Sequence, residues 1–283
     1  MAKVELNVIT SGRIPWGAKS EVAGALRECY RRFGSRVPYQ VEVHIVDREA
    51  TMQDLLKEEK LRLGITTSGD EEFICTHDAW RGYPRIIFCF ERLAKLSRLA
   101  RLGAVRHEAA HSVLHGSLEY YIFRIPEDCR HIAMIKGIDS TVLDQALYFL
   151  SVAVKDFEAT RFLVQHDYIG CQFAFALEWL QPSEEDKSAW KLAAANRQAK
   201  FVCETALLKP TLFAHPLLAL PRSKRISLEQ QVQLGARVEG LVEYLGDAER
   251  NKLLQVTNII VENLIEDTHK NVDSALLQAM SLA

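Results

Sequence analysis

Ten residues, Arg106-His107-Glu108-Ala109-Ala110-His111-Ser112-Val113-Leu114-His115, constrain this chain more than any other stretch. His-Glu-x-x-His makes chemical sense on a helix, where positions four apart leave the same face and both imidazoles converge on one point. Glu108, one position after the first His, leans over that point. A zinc ion with two His ligands, a carboxylate third ligand and a water is the standard hydrolytic arrangement. Zinc lowers the pKa of the water toward neutrality, and a glutamate in the place of Glu108 takes its proton as the water attacks a polarised carbonyl. The motif therefore demands two things of the rest of the chain: a helix around residues 106–115, and a third ligand from elsewhere.

The flanks meet the first demand. Ala104, Val105, Ala109, Ala110, Val113 and Leu114 are helix formers and core residues around the His pair, so the helix is expected to be buried. Two imidazoles and a carboxylate in a buried helix need partners, and a metal ion satisfies them. Leu93, Leu96, Leu99 and Leu102 give a lead-in helix, with Gly103 as the expected division and Gly116 as the expected C-cap. Upstream, strands are expected over 4–10, 39–46 and 85–90. In the second, Val41, Val43 and Ile45 face one side and Glu42 and His44 the other. A helix over 20–33 presents Val22, Leu26, Tyr30 and Phe33. A shorter one covers 52–59, and the turn-rich stretch 64–82 reads as a hairpin with Phe73-Ile74-Cys75 as one arm.

Downstream, Pro126, Asp128 and Gly137 predict an irregular segment over 117–138. A long helix then runs from the cap Asp139-Ser140-Thr141 to His166, with Leu143, Leu147, Leu150, Val154 and Phe157 as its apolar stripe and Gly170 as its end. Helices follow over 171–180, 181–206, 227–245, 248–267 and 272–279, interrupted over 209–226. The helix 139–166 carries Asp144, Asp156 and Glu158, which makes it the source of the third ligand. Asp156 and Glu158 lie about 200° apart round a helix, so only one of them faces the metal.

Composition narrows the function classes. A net charge of −2 supplies no basic field for nucleic acid, and the short run Arg222-Ser223-Lys224-Arg225 is the footprint of a solvated loop. No apolar run approaches the roughly 20 residues of a membrane helix, and Met1-Ala2-Lys3-Val4-Glu5 lacks a signal peptide's apolar core. Cys29, Cys75, Cys89, Cys129, Cys171 and Cys203 contain no Cys-x-x-Cys pair and read as reduced thiols of a cytoplasmic protein.

The segment Asp156-Phe157-Glu158-Ala159-Thr160-Arg161-Phe162 resembles the Glu-x-Glu-Ala-Asn-x-Phe-Ala segment of the ImmA/IrrE-type metallopeptidases. In that family it follows a His-Glu-x-x-His-x-x-x-His helix, which here is His107 to His115. The resemblance covers about residues 85–165 and is similar to the wider gluzincin pattern, in which a ligand Glu precedes a supporting Asp or Asn by four residues. It implies His107 and His111 as ligands, Glu108 as general base, Asp156 as third ligand with Glu158 as its fallback, and Thr160 in the supporting position. Asp replaces the family's Glu and Thr its Asn, and the gap from His111 to Asp156 is longer than usual. The shorter Asp requires the two helices to approach more closely, while Thr retains a hydrogen-bonding group for a ligand.

The implied fold class is α+β: a zincin-like core over 1–170, with a small mixed sheet packed on the motif helix and the ligand helix, then an all-helical region over 171–283. The implied function is zinc-dependent peptide-bond hydrolysis, with substrate added as an extended strand at the sheet edge. Two other readings stand beside it: a catalytically weak or inactive zincin-fold regulatory or binding protein, and a metal-dependent amidohydrolase of a non-peptide substrate. An intact Glu108 favours hydrolysis, because a structural site needs no base. The expected partners are a peptide or protein substrate, with the C-terminal helices available for a protein partner or homo-oligomer. His115 is left as ligand, outer hydrogen-bond donor or helix cap; Tyr120 and Tyr121 as aromatic packing or an oxyanion-stabilising phenol. His77 and His131 read as surface loop residues, and His44 as surface or cleft border.

Overall fold

In the structure, a computed structural model describing residues 4–34, 37–64, 74–220 and 227–283, the first apolar alternation forms strand β1 (Glu5–Ser11). Helix α1 (Trp16–Phe33) follows directly after Pro15, four residues earlier than its apolar stripe indicates. Proline is tolerated there because the first turn's amides have no intrahelical acceptor. Strand β2 (Gln40–Val46) pairs parallel to β1, and helix α2 (Glu49–Leu63) runs to Gly64, which adopts the left-handed conformation at φ 66°. Strand β3 (Cys75–Asp78) is antiparallel to β4 (Arg85–Cys89), and β4 is parallel to β2. The sheet order is β1-β2-β4-β3, a mixed sheet with β3 at one edge. The antiparallel pair joins 75–78 to β4, the strand expected separately over 85–90, and not two arms within 64–82; Phe73 and the rest of 65–73 lie outside the described residues.

Every residue of β4 is buried, as are Val41 to Val46 of β2. The polar side expected for Glu42 and His44 is therefore interior, and the two residues pair with each other there at 2.7 Å. Parallel strands covered on both faces behave this way.

Helix α3 (Phe90–Leu93) is one turn long, and α4 (Arg98–Leu114) carries the His pair. The division between them lies at 94–97 rather than at Gly103: Ser97 caps α4 by accepting from Ala100 N at 3.2 Å. The C-cap is His115, not Gly116. The segment expected to be irregular holds a 3-10 turn (Leu118–Tyr121) and helix α5 (Glu127–Lys136). Pro126 and Gly137 are its two boundaries, with Glu127 and Asp128 in the first turn and Gly137 left-handed at φ 64°. The expected breakers are thus a start and a stop.

Helix α6 (Ser140–Gln165) matches expectation, but Asp167 rather than Gly170 turns the chain, at φ 62°. Gly170 lies inside helix α7 (Ile169–Trp179). The single helix expected over 181–206 is two, α8 (Glu184–Ala193) and α9 (Arg197–Leu218). Asn196 starts α9 by accepting from Gln198 N and Ala199 N. Helix α9 runs through Pro210 and Pro216, so the interruption expected from 209 begins after Leu218; the basic run 222–225 lies outside the described residues. Helices α10 (Leu228–Val242), α11 (Asp247–Glu262) and α12 (Thr268–Ala279) complete an α+β chain.

Contacts group the chain into two compact units: Met1–Tyr121 with Phe162–Phe175, and Ile122–Arg161 with Ala176–Ala283. The expected cut at 170 falls inside α7. The first unit contains the sheet and α1 to α4. Its α1 buries Val22, Leu26, Tyr30 and Phe33; the Tyr30 hydroxyl meets Ser112 Oγ on α4 at 2.7 Å, and Phe33 packs on Phe162 at 4.8 Å. In the second unit the α6 stripe Leu143, Leu147, Leu150, Val154 and Phe157 is buried, as are Phe201, Leu208 and Leu212 of α9. No described helix is long and apolar enough to cross a membrane, and none of the six cysteines is disulfide-bonded.

Candidate metal centre

Helix α4 turns the motif into geometry. His107, Glu108, His111 and His115 are 4, 4, 1 and 0 % exposed, so the face they share is interior. His107 Nε2 and His111 Nε2 stand 3.0 Å apart, with the rings near perpendicular. His111 Nδ1 stands 3.1 Å from His115 Nδ1. His115 thus sits behind His111, on the nitrogen turned away from His107. Of the roles the spacing left open, the helix-end position and the outer hydrogen-bonding one both describe this placement. At about 12 Å from His107 along the axis, His115 is too far along the helix to join the same point directly.

Asp156 on α6 completes a group with His107 and His111. One ligand atom from each lies within 4.8 Å of the others, and all three residues are buried. This group can hold a metal ion. Two nitrogens on a tetrahedral zinc stand about 3.3 Å apart given ordinary zinc–nitrogen bond lengths. The 3.0 Å between the two Nε2 atoms is close to that figure. Two imidazoles and one carboxylate are also the ligand set of hydrolytic zinc. Thr160, one turn after Asp156 on the same face of α6, is fully buried, and its Oγ1 has no hydrogen-bond partner among the described residues. A buried hydroxyl of this kind suits a supporting role beside a ligand.

Glu158 goes elsewhere. Its Oε1 accepts from Asn271 Nδ2 at 2.6 Å and its Oε2 from Thr268 Oγ1 at 2.8 Å, both on α12. Burial pushes its carboxyl above the usual range, and these two hydrogen bonds partly offset the rise. The fallback ligand is therefore committed to α12, and the metal-capable group contains Asp156.

Glu108 lies beside the His pair with its Oε2 2.8 Å from His77 Nδ1. Burial alone pushes its carboxyl up. The His77 hydrogen bond and the charges of His77, His111 and His107 oppose this and hold it down at about 2. His77 is the main correction to the sequence reading: it is on β3, not in a surface loop, and its ring stacks on His111 at 3.8 Å and 14°. No spacing rule links residue 77 to residue 108. The only trace in the sequence is Cys75-Thr76-His77-Asp78, too short and too polar to stand out as a strand. His131, by contrast, is exposed as expected, though on α5.

Both tyrosines pack near these imidazoles. Tyr121 meets His77 edge-on at 6.1 Å and Tyr120 meets His115 at 5.4 Å. Burial, then the charges of Asp78 and Glu108, push the Tyr121 phenol well above its usual value. Next to His77, an ionic network links the buried Arg85, Asp78, Glu59 and Glu42 to the exposed Arg81. Arg85 donates to Asp78 at 2.7 and 3.0 Å, Arg81 to Glu59 at 2.6 and 2.9 Å, and Arg81 to Glu42 at 3.3 Å. His44 belongs to this network through Glu42 and is buried rather than on the surface.

No protein-family model, curated protein or solved structure gives a significant match to the chain, so the candidate site stands on its own residues and geometry.

Proposed function

We propose that the chain is a zinc-dependent peptidase of the ImmA/IrrE-like, zincin-fold kind, and that the sheet, α4 and α6 are its core. The observation that carries this reading is the gathering of His107, His111 and Asp156 ligand atoms within 4.8 Å, with Glu108 next to His107 on the same buried helix. Zinc supplies Lewis acidity at neutral pH when held by such a set. His107 and His111, whose Nε2 atoms stand 3.0 Å apart, would hold the ion with Asp156, whose carboxylate would offset part of its charge in a buried setting. His115 fixes the orientation of the His111 ring from its Nδ1 side. Glu108, held ionised, accepts a proton from the attacking water and returns it to the leaving amine. The edge strand β3 offers a backbone along which an extended peptide can pair, and it delivers His77 to the same place.

The test is cleavage of a mixed peptide pool by the zinc-loaded chain, compared with Glu108→Gln. Loss of general base catalysis lowers turnover by about 100-fold or more, with zinc content unchanged. Cleavage by Glu108→Gln at the wild-type rate contradicts the mechanism. Stoichiometric zinc without cleavage of any peptide favours the regulatory reading instead.

A further inference from the structure

His77 has no role in the two-His, one-acid scheme, yet it touches both the base and a proposed ligand. Its Nδ1 lies 2.8 Å from Glu108 Oε2. Its ring lies flat on His111 at 3.8 Å. Its Nε2 is buried with no hydrogen-bond partner among the described residues. His77 is not a member of the metal-capable group, so these contacts do not make it a ligand.

The position of His77 is fixed from behind. Asp78, the next residue of β3, is the register partner of Arg85 on β4. Arg85 is 1 % exposed and donates from Nε and Nη2 to the Asp78 carboxylate, while its Nη1 lies 3.4 Å from Glu59 Oε2. Paired, hydrogen-bonded charges in the interior hold one geometry, because separating them leaves an unpaired buried charge. The chain of fixed contacts therefore runs Glu59, Arg85, Asp78, His77, Glu108. A glutamate on a helix otherwise has three free side-chain torsions. A base must keep one oxygen at a fixed point to be effective.

We propose that His77 is a positioning residue for Glu108: its Nδ1–H donates to Oε2 and leaves Oε1 as the oxygen that receives the proton. The role rests on the peptidase reading of the site. An ionised carboxylate only accepts, so Nδ1 carries the hydrogen, and the buried Nε2 is the second polar atom of the ring.

Two substitutions separate the hydrogen bond from the stacking. His77→Phe keeps an aromatic ring against His111 and removes the donor. His77→Asn keeps an N–H near the position of Nδ1 and removes the ring. In zinc-loaded protein, His77→Phe is expected to keep its zinc, to lose about 100-fold in kcat as a misplaced base does, and to leave KM within about twofold on the same ground. His77→Asn is expected to recover at least about 10-fold of that loss, an N–H to a carboxylate being the contact restored. Wild-type kcat in His77→Phe, zinc loss in His77→Phe, or no recovery in His77→Asn would each overturn the proposal. A third readout needs no turnover. In the wild-type chain, nitrogen-15 NMR of the imidazoles should show His77 protonated at Nδ1 with a low-field proton that is lost in Glu108→Ala. A His77 signal indifferent to Glu108→Ala overturns the proposal even if no peptide is ever cleaved. A chain without zinc or cleavage that retains this Glu108-dependent signal overturns the peptidase reading while the contact stands.

Discussion

Asp156 and Glu158 stand two residues apart on α6, about 200° round the helix, and their carboxylates have different company. Asp156 groups with His107 and His111, whereas Glu158 accepts from Asn271 and Thr268. Their substitutions should therefore separate two properties. If the site takes zinc as proposed, Asp156→Ala should weaken its binding by about 100-fold or more, since one of the three proposed ligands is gone. Glu158→Ala should bind zinc as the wild type does and lose about 1–3 kcal/mol of stability, the cost of removing the acceptor of buried Asn271 and half-buried Thr268. Chelator-competition titration and urea unfolding of each variant check the pair; zinc lost from Glu158→Ala and kept by Asp156→Ala would reverse the assignment. The parts of the site readable from the sequence are those set by helix periodicity: His107 with His111, and Asp156 in opposition to Glu158. His77 was not readable, because its contact with Glu108 is made by strand pairing and helix packing, neither of which leaves a spacing rule.

At the level of elements, glycine and proline are where sequence and structure part. Pro15 and Pro126 look like breakers and are helix starts; Gly137 looks like a breaker and is a helix stop. Both residue types mark boundaries, but the residue alone does not say which side of it is helical. Gly103 shows a different reason for glycine. It sits within α4, and a Cβ built there meets Cys171 O at 2.2 Å and Phe175 Cβ at 2.7 Å, both on α7. Gln172 on the same helix donates to Gly103 O at 2.8 Å. The glycine thus permits backbone-to-backbone approach one turn before His107. Gly103→Ala should cost about 1–3 kcal/mol as an overpacked interface does, measured by urea unfolding. Stability equal to wild type would mean that α7 can move aside without penalty.

For the molecule as a whole, the amphipathic stripes place most helices, and the three apolar segments at 4–10, 39–46 and 85–90 give the parallel part of the sheet. What the stripes do not encode is which segments cluster. Phe162–Phe175 groups with the sheet-bearing segment Met1–Tyr121, through contacts such as Phe33 with Phe162 and Gln172 with Gly103. Ile122–Arg161 groups with the later helices, through contacts such as Glu158 with Asn271. These are pairings between distant parts of the chain, chosen by shape and by buried polar partners rather than by local pattern. The functional account depends on one such long-range gathering, that of His107, His111 and Asp156. Its most direct test is the zinc content of the full chain after equilibration with zinc and removal of excess ion, for wild type and for His111→Ala. The account predicts about one zinc per wild-type chain, as a three-ligand catalytic site holds, and close to none in His111→Ala. A wild-type chain that takes up no zinc, or a His111→Ala chain that keeps it, would contradict the account.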